Sequence, residues 1–209
     1  MVNRMSGVRE ARREELRNRL IAAAEKLVAK SGIRALNARE VTKEAGCALG
    51  SLYTVFDDLD DLVIHVNSNT LNRLAEELRN EPVSHEDPVE ALKSLAKTYV
   101  RFARENLPLW VALFDYAAIA DIAVPEWHTA EQRRLIEFIV EPVASLSVNL
   151  EGAELSERAK MLFAAVHGIV SLSVEDRFVG VSPDRLEDEL MVFIDQMVAG
   201  LVQQSSADK

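Results

Sequence analysis

The residues with the best-defined chemistry lie between Asn37 and Leu62, in the run NAREVTKEAGCALGSLYTVFDDLDDL. Asn37 and Glu40 have capping-box spacing, which predicts a helix starting at Ala38. Val41 and Ala45 share one face of that helix, and Gly46 ends it after about eight residues. A second short helix is expected from Leu49, with Leu52 and Phe56 on one face and Ser51, Tyr53 and Thr54 on others. Two short helices joined by a glycine turn make a helix-turn-helix, whose second helix can enter the major groove of DNA. Ala45 is small enough for the helices to cross closely, and Gly50 lets the second helix approach a phosphate backbone. This chemistry is recognition of an anion, not bond breaking. Asp, Glu and His occur elsewhere, but no spacing assembles a metal site, a catalytic triad or a phosphate loop. Cys47 has no His or Asp nearby in sequence and reads as a small turn residue. Neither an enzyme nor a bound cofactor is expected.

Charge is distributed to suit such a partner. The 209 residues carry a formal net charge of −10, which alone would disfavour nucleic acid. Residues 1–56, however, hold eleven Lys and Arg against six Asp and Glu, a net +5, and the remainder carries −15. A small basic head is thus joined to a large acidic body. The single cysteine excludes an intrachain disulfide. No apolar run approaches the roughly 18–20 residues that cross a bilayer, and the N-terminus has no apolar signal core. A cytoplasmic location without a membrane partner is expected.

The elements that must position these residues are helical. Apolar residues recur at helical spacing nearly throughout, so an all-α fold of about nine helices is expected. The predicted spans are 9–30, 38–45, 49–55, 59–79, 88–105, 107–121, 126–150, 155–179 and 183–203. Ser31-Gly32 should end the first. The polar stretch 80–87 is the best hinge or loop candidate. Pro125 and Pro183 suit first-turn positions, with Ser182 as a cap, and Pro142 should kink or break its helix.

Residues 16–66 resemble the N-terminal domain of the tetracycline-repressor-like (TetR) transcriptional regulators. The resemblance rests on LIAAAEKL in the first helix, Gly32, Val41, Ala45-Gly46, Gly50-Ser51-Leu52-Tyr53, Phe56 and Leu62. It implies a three-helix helix-turn-helix DNA-binding domain over residues 1–58. Residues 59–209 would then form a helical effector-binding and dimerisation domain. The implied protein is a homodimeric regulator, a repressor released from a palindromic double-stranded DNA operator by a small apolar or aromatic effector. Arg39 matches a position from which relatives reach a base edge, where arginine pairs with guanine; otherwise it is a solvated charge. Leu49, Ser51 and Thr54 would face the groove, Leu49 against a thymine methyl, with Ala48 and Gly50 also among the DNA-binding residues. Tyr53 is either a phosphate-contacting hydroxyl or a half-buried core aromatic. Lys43, with Arg12, Arg13 and Arg17, contacts phosphates or simply solvates a face.

Three departures from the family pattern bear on DNA affinity. Ala48 stands where a capping Ser or Thr is usual, at a cost of about 1 kcal/mol of helix stability. Val55 replaces a polar phosphate contact. Leu59 replaces a lysine, within the acidic run Asp57, Asp58, Asp60 and Asp61.

In the body, aromatic residues gather between 99 and 138. Tyr99, Phe102, Trp110, Phe114, Trp127 and His128, with His167 on an apolar helix, are the candidate ligand contacts; each also reads as core packing. The last two helices carry the stripes Leu155, Leu162, Val166, Ile169, Leu172 and Leu186, Leu190, Phe193, Met197, Leu201, with Val170, Phe178 and Met191 apolar outside them. That excess suggests a second contact across a two-fold axis. The competing possibility is a helical small-molecule-binding or protein-interaction dimer with weakened or lost DNA binding. The acidic run leads to a measurable expectation. A plot of log K for DNA against log salt should have a slope no steeper than about −8 per dimer. A steeper slope would contradict it.

Overall fold

Helix follows from the 3.6-residue apolar period and from glycine and proline falling mainly between periodic stretches. The structure, a computed structural model, describes residues 2–82, 87–120, 124–146 and 150–207, the side chains of 2–6, 115, 117–120 and 202–207 excepted. Nine α-helices occur among the described residues: α1 Val2–Ser31, α2 Ala38–Glu44, α3 Leu49–Leu52, α4 Leu59–Asn80, α5 Pro88–Glu105, α6 Leu107–Ala120, α7 Glu126–Leu146, α8 Gly152–Val174 and α9 Leu186–Ala207. The chain divides into two compact units, residues 1–72 with 106–128 and residues 73–105 with 129–209. Both α4 and α7 begin in the first unit and end in the second.

In the first unit, α1 buries Leu20, Ile21, Ala24 and Val28 in one core with Leu62, Val63 and Val66 of α4 and Leu109 and Ala112 of α6. The helix-turn-helix contributes Val41, Leu52, Val55 and Phe56 to the same core. Gly32, at φ 73° and ψ 166°, follows α1 in a positive-φ conformation that glycine takes without a Cβ clash. Polar ties fix the helices further. Asn69 Nδ2 donates to Glu25 Oε1 at 2.8 Å, and Asn67 Nδ2 donates to the Ala112 carbonyl at 3.3 Å. Lys26 pairs with Glu44, joining α1 to α2 and holding the Glu44 carboxyl below the usual range.

The second unit is built on the apolar face of α5, where Leu92, Leu95, Tyr99, Val100 and Phe102 are buried. Leu162, Val166 and Val170 of α8 and Leu186, Leu190, Ile194 and Val198 of α9 are buried with them. Lys93 pairs with Asp195 at 2.7 Å and Arg104 with Glu187 at 2.9 Å, tying α5 to α9. Glu81 accepts hydrogen bonds from Thr98 Oγ1 at 2.6 Å and Ser94 Oγ at 2.7 Å. Those donors, with Arg101 3.7 Å away, hold its carboxyl below the usual range.

Several boundaries differ from those predicted. The second helix of the pair ends at Leu52, not 55. Thr54 Oγ1 donates to the Ser51 carbonyl at 2.7 Å, a local bond that competes with the helix ladder. The predicted helix over 155–179 runs from Gly152 to Val174. Pro183 and Ser182 do not start α9; they lie in a turn closed by Arg185 N–H donating to the Ser182 carbonyl at 3.0 Å. Pro125 stands just before α7, and Pro142 lies inside it without ending it. Of the loop expected at 80–87, residues 83–86 lie outside the described residues. The apolar stripes also divide differently. Val170 is core, Leu172 is exposed, and Phe178 lies beyond the end of α8.

Glu81 yields a test of this packing. Its depressed folded pKa means that its contribution is complete above the normal glutamate value of about 4.3 and lost as pH falls through the lowered one. Glu81→Gln should therefore lower Tm at pH 7 by about 2–4 °C, the effect of about 1 kcal/mol in a chain of this size. The difference from wild type should shrink progressively as pH falls below the normal glutamate value, as scanning calorimetry would read.

Candidate nucleic-acid interface and inner cavity

The two short helices are positioned by chemistry local to each. Asn37 Oδ1 accepts from Glu40 N–H at 3.1 Å, so α2 starts on a real side-chain cap. Gly46, at φ 67°, makes the turn. Ala48 occupies the cap position of α3 with no side-chain hydrogen bond. The core anchors Val41, Leu52, Val55 and Phe56, and the opposite side is left to solvent. Arg39, Lys43, Ala48, Leu49, Gly50, Tyr53 and Thr54 are exposed there, and Ser51 is half-buried. Tyr53 is 55 % exposed and Leu49 42 %, too open for core roles. Val55 is a core side chain, which accounts for its being apolar. Lys43 stands 3.7 Å from Glu40 in an exposed pair that binds weakly.

The acidic run is largely structural. Asp58 Oδ1 accepts from Asp61 N–H at 2.7 Å, capping α4, and Asp61 Oδ2 accepts from Asp57 N–H at 3.1 Å. Asp60 accepts from the Tyr116 hydroxyl of α6. Burial, then the Asp60 bond and the Asp60 and Asp58 charges, push the Tyr116 phenol well above its usual range. The Asp57 carboxylate takes no part in this capping.

Arg17, expected among the phosphate contacts, is engaged inward instead. Its guanidinium lies 5.1 Å from the Phe56 ring centroid and donates to the His65 ring, with Nη2 2.6 Å from Nε2. Trp127 stacks on His65 at 5.0 Å and 15°. Asp61 Oδ1 is 3.5 Å from His65 Nε2. Sequence inspection missed this cluster because its members come from α1, α4, α7 and the connection after α3.

The candidate ligand contacts fall in both units. Trp110, Phe114, Trp127 and His128 belong to the first unit. Trp110 is buried and packs on Phe114 at 5.2 Å, and His128 is buried beside Trp127. Tyr99, Phe102 and His167 belong to the second unit. The Tyr99 hydroxyl and His167 Nδ1 share a 2.8 Å hydrogen bond, and Phe163 stacks on His167 at 14°. Phe102 is buried and is not among the walls of this unit's inner cavity.

Of the seven, only Tyr99 lines the cavity of this unit, about 50 Å³ in volume. Leu74, Leu78, Leu95, Phe138, Phe163 and Val166 are among its other walls. An open cleft of about 430 Å³ adjoins it, sharing Leu78, Leu95 and Phe138 and adding Arg79, Arg134, Glu137, Glu141 and Ser145. The missed wall residues carried a signal, the inward apolar faces of α4, α5, α7 and α8. Among the described residues no His, Cys, Asp and Glu cluster could hold a metal ion, and no helix is long and apolar enough to cross a membrane.

Known proteins match both parts of the chain. Residues 20–66 match the family model for bacterial regulatory proteins of the tetR family, and residues 92–197 match the tetracyclin repressor-like C-terminal domain. A protein of unknown function from Rhodococcus sp. RHA1 superposes with a TM-score of 0.71 at 22 % identity, over 90 % of this chain and 95 % of that one. A TetR transcriptional regulator from the same organism gives 0.65 at 20 % identity, over 88 % and 96 %. RolR, solved in complex with resorcinol, gives 0.67 at 20 % identity, over 95 % and 93 %. No curated protein matches this sequence.

The geometry separates Asp57 from its neighbours in a way that can be measured. Asp57→Lys should raise affinity for double-stranded DNA and steepen the salt slope by about one per protomer. Asp58→Lys, which also removes the α4 cap, should instead lower Tm.

Proposed function

The chain belongs to the TetR family of bacterial transcriptional regulators, which are not enzymes, and on that premise we propose that it is a homodimeric repressor released from a palindromic operator by a small apolar or aromatic effector. Residues 1–58 hold the DNA in this reading, and residues 59–209 bind the effector and dimerise. Arg39, Leu49, Gly50, Ser51, Tyr53 and Thr54 present the side chains that meet the groove, with Ala48 and Lys43 beside them. The exposure of Tyr53 and Leu49 on a helix anchored from behind supports this.

The observation that carries the effector half is the inner cavity. At about 50 Å³ it is far smaller than the roughly 150 Å³ that holds benzene. An effector can therefore occupy it only after the wall of Leu78, Leu95 and Phe138 yields toward the adjoining cleft. Such a ligand binds the expanded form alone, which is the differential affinity that a population shift needs. Leu74 and Leu78 of the wall belong to α4, whose opening turns pack against the helix-turn-helix core. The resorcinol bound by RolR is a ligand of suitable size and aromatic character. Tyr99, held by His167, is the polar group available to orient it.

The dimer half rests on exposed apolar residues of α8 and α9. Met161 and Leu172 on α8 and Val192 on α9 are exposed, as expected of helices that pack again across a two-fold axis. The uncapped α3 and the acidic run favour the alternative, a ligand-binding dimer with weakened DNA binding. Mobility-shift titration with promoter DNA of the protein's own gene separates the two. A specific shift is expected at protein concentrations of about 10 nM. Millimolar resorcinol or another small arene should weaken it. Absence of a specific shift would sink the operator half, and a shift that no arene weakens would sink the effector half.

A further inference from the structure

Arg17 and His65 form a pair that holds only while one partner is uncharged. Arg17, on α1, is always a guanidinium cation and can only donate. His65, on α4, is a side chain of the type that ordinarily titrates near pH 6.5. Arg17 Nη2 is 2.6 Å from His65 Nε2 and 3.1 Å from Nδ1. A neutral ring carries a lone pair on one of these nitrogens in either tautomer, so an acceptor is always in reach. A protonated ring has N–H on both and accepts at neither. Protonation therefore turns a charge-assisted hydrogen bond into two cations in contact.

The surroundings decide which cation leaves. Asp61, one turn before His65 on α4, places Oδ1 3.5 Å from Nε2 and favours the charged ring. Trp127 of α7 stacks on the ring at 5.0 Å and 15°, and Phe56 packs on it at 5.6 Å. These faces hold the imidazole where it is. Other titratable groups nearby are engaged elsewhere: His128 meets Trp127 edge-on at 5.6 Å, and the Tyr116 hydroxyl of α6 donates to Asp60. Arg17 has the longer and more flexible side chain, is half-buried, and has somewhere to go. Arg13 is exposed one turn earlier on the same face of α1, with Arg12 beside it. A guanidinium freed from His65 joins them on the basic head, the +5 segment of residues 1–56.

We propose that Arg17 is a phosphate-binding side chain held in reserve, and that protonation of His65 releases it to DNA. The proposal rests on the operator reading above and adds to it a pH control inside the DNA-binding unit. Above the histidine range Arg17 is held against His65. Below that range each protomer gains one phosphate contact, so affinity for DNA rises as pH falls.

Fluorescence-anisotropy titration of labelled promoter DNA of the protein's own gene with the full chain tests this, at about pH 8 and about pH 5.5, on either side of the histidine range. Wild type should bind about tenfold more tightly at the lower pH, with a salt slope steeper by about one per protomer. Arg17→Gln removes the phosphate contact, and His65→Gln keeps an uncharged acceptor at every pH. Each should abolish the difference and stay at the affinity of the higher pH. A second measurement needs no DNA. The His65 ring followed by NMR should titrate about one unit higher in Arg17→Gln and lower by a similar amount in Asp61→Asn, which retains an oxygen for Asp57 N–H. Shifts of opposite sign do not come from a general loss of structure. A pH effect on binding that survives Arg17→Gln, or a His65 midpoint that Arg17→Gln leaves unmoved, overturns the proposal. Specific binding that is the same at both pH values leaves the operator reading standing and removes the switch. A chain that binds no DNA at either pH removes both.

Discussion

One helix is obliged to serve two cores. Helix α4 buries Leu62, Val63 and Val66 with α1, α6 and the helix-turn-helix, and Leu74 and Leu78 with the inner cavity of the second unit. At 1.5 Å per residue its 22 residues make a rod of about 33 Å whose hydrogen bonds resist bending. The rod needs a firm start, and the Asp58–Asp61 cap supplies it. Asn67 and Asn69 then tie its middle to α6 and α1. Much of the packing behind α3 thus involves α4.

That requirement explains a conflict visible in the charge pattern. Carboxylates at a helix N-terminus favour the helix dipole, and here they also satisfy Asp57 N–H, Asp61 N–H and the Tyr116 hydroxyl. The same carboxylates lie close in sequence to the surface proposed to meet DNA, where each would oppose phosphate binding. Folding and nucleic-acid affinity pull in opposite directions at this point. Only the carboxylate of Asp57 is outside this network, so the conflict is not the same at all four positions. The net −10 hides this as well, being an average of a +5 head and a −15 remainder.

What could be seen from sequence was whatever depends on neighbours in the chain. The Asn37 cap, the Gly46 turn, the Leu52–Phe56 anchor and the spans of α4 to α6 are local in origin and were legible. The end of α8 was not, because its left-handed stop is made by Asp176 rather than glycine and Gly180 follows only four residues later. Nor was the engagement of Arg17, since its partners Phe56 and His65 lie 39 and 48 positions away in sequence. The cavity illustrates the same limit. Aromatic density drew attention to Trp110 and Trp127, which fill or cover the first unit, whereas the cavity of the second is walled mainly by aliphatic residues from several helices. Composition shows where large side chains are, not which of them leave space.

Pro142 links that cavity to its surroundings. It has no N–H, so the Phe138 carbonyl in α7 lacks the donor that residue 142 would normally provide. Phe138 is also one of the three side chains separating the small cavity from the open cleft. The part of α7 that carries the dividing wall is therefore held by one bond fewer than an ordinary turn. Helix α7 nevertheless continues to Leu146, because the buried Leu135 and Val143 hold it on either side. A wall anchored at both flanks and weakened between them can open without unfolding its helix. The cost of any opening there falls mainly on repacking Phe138.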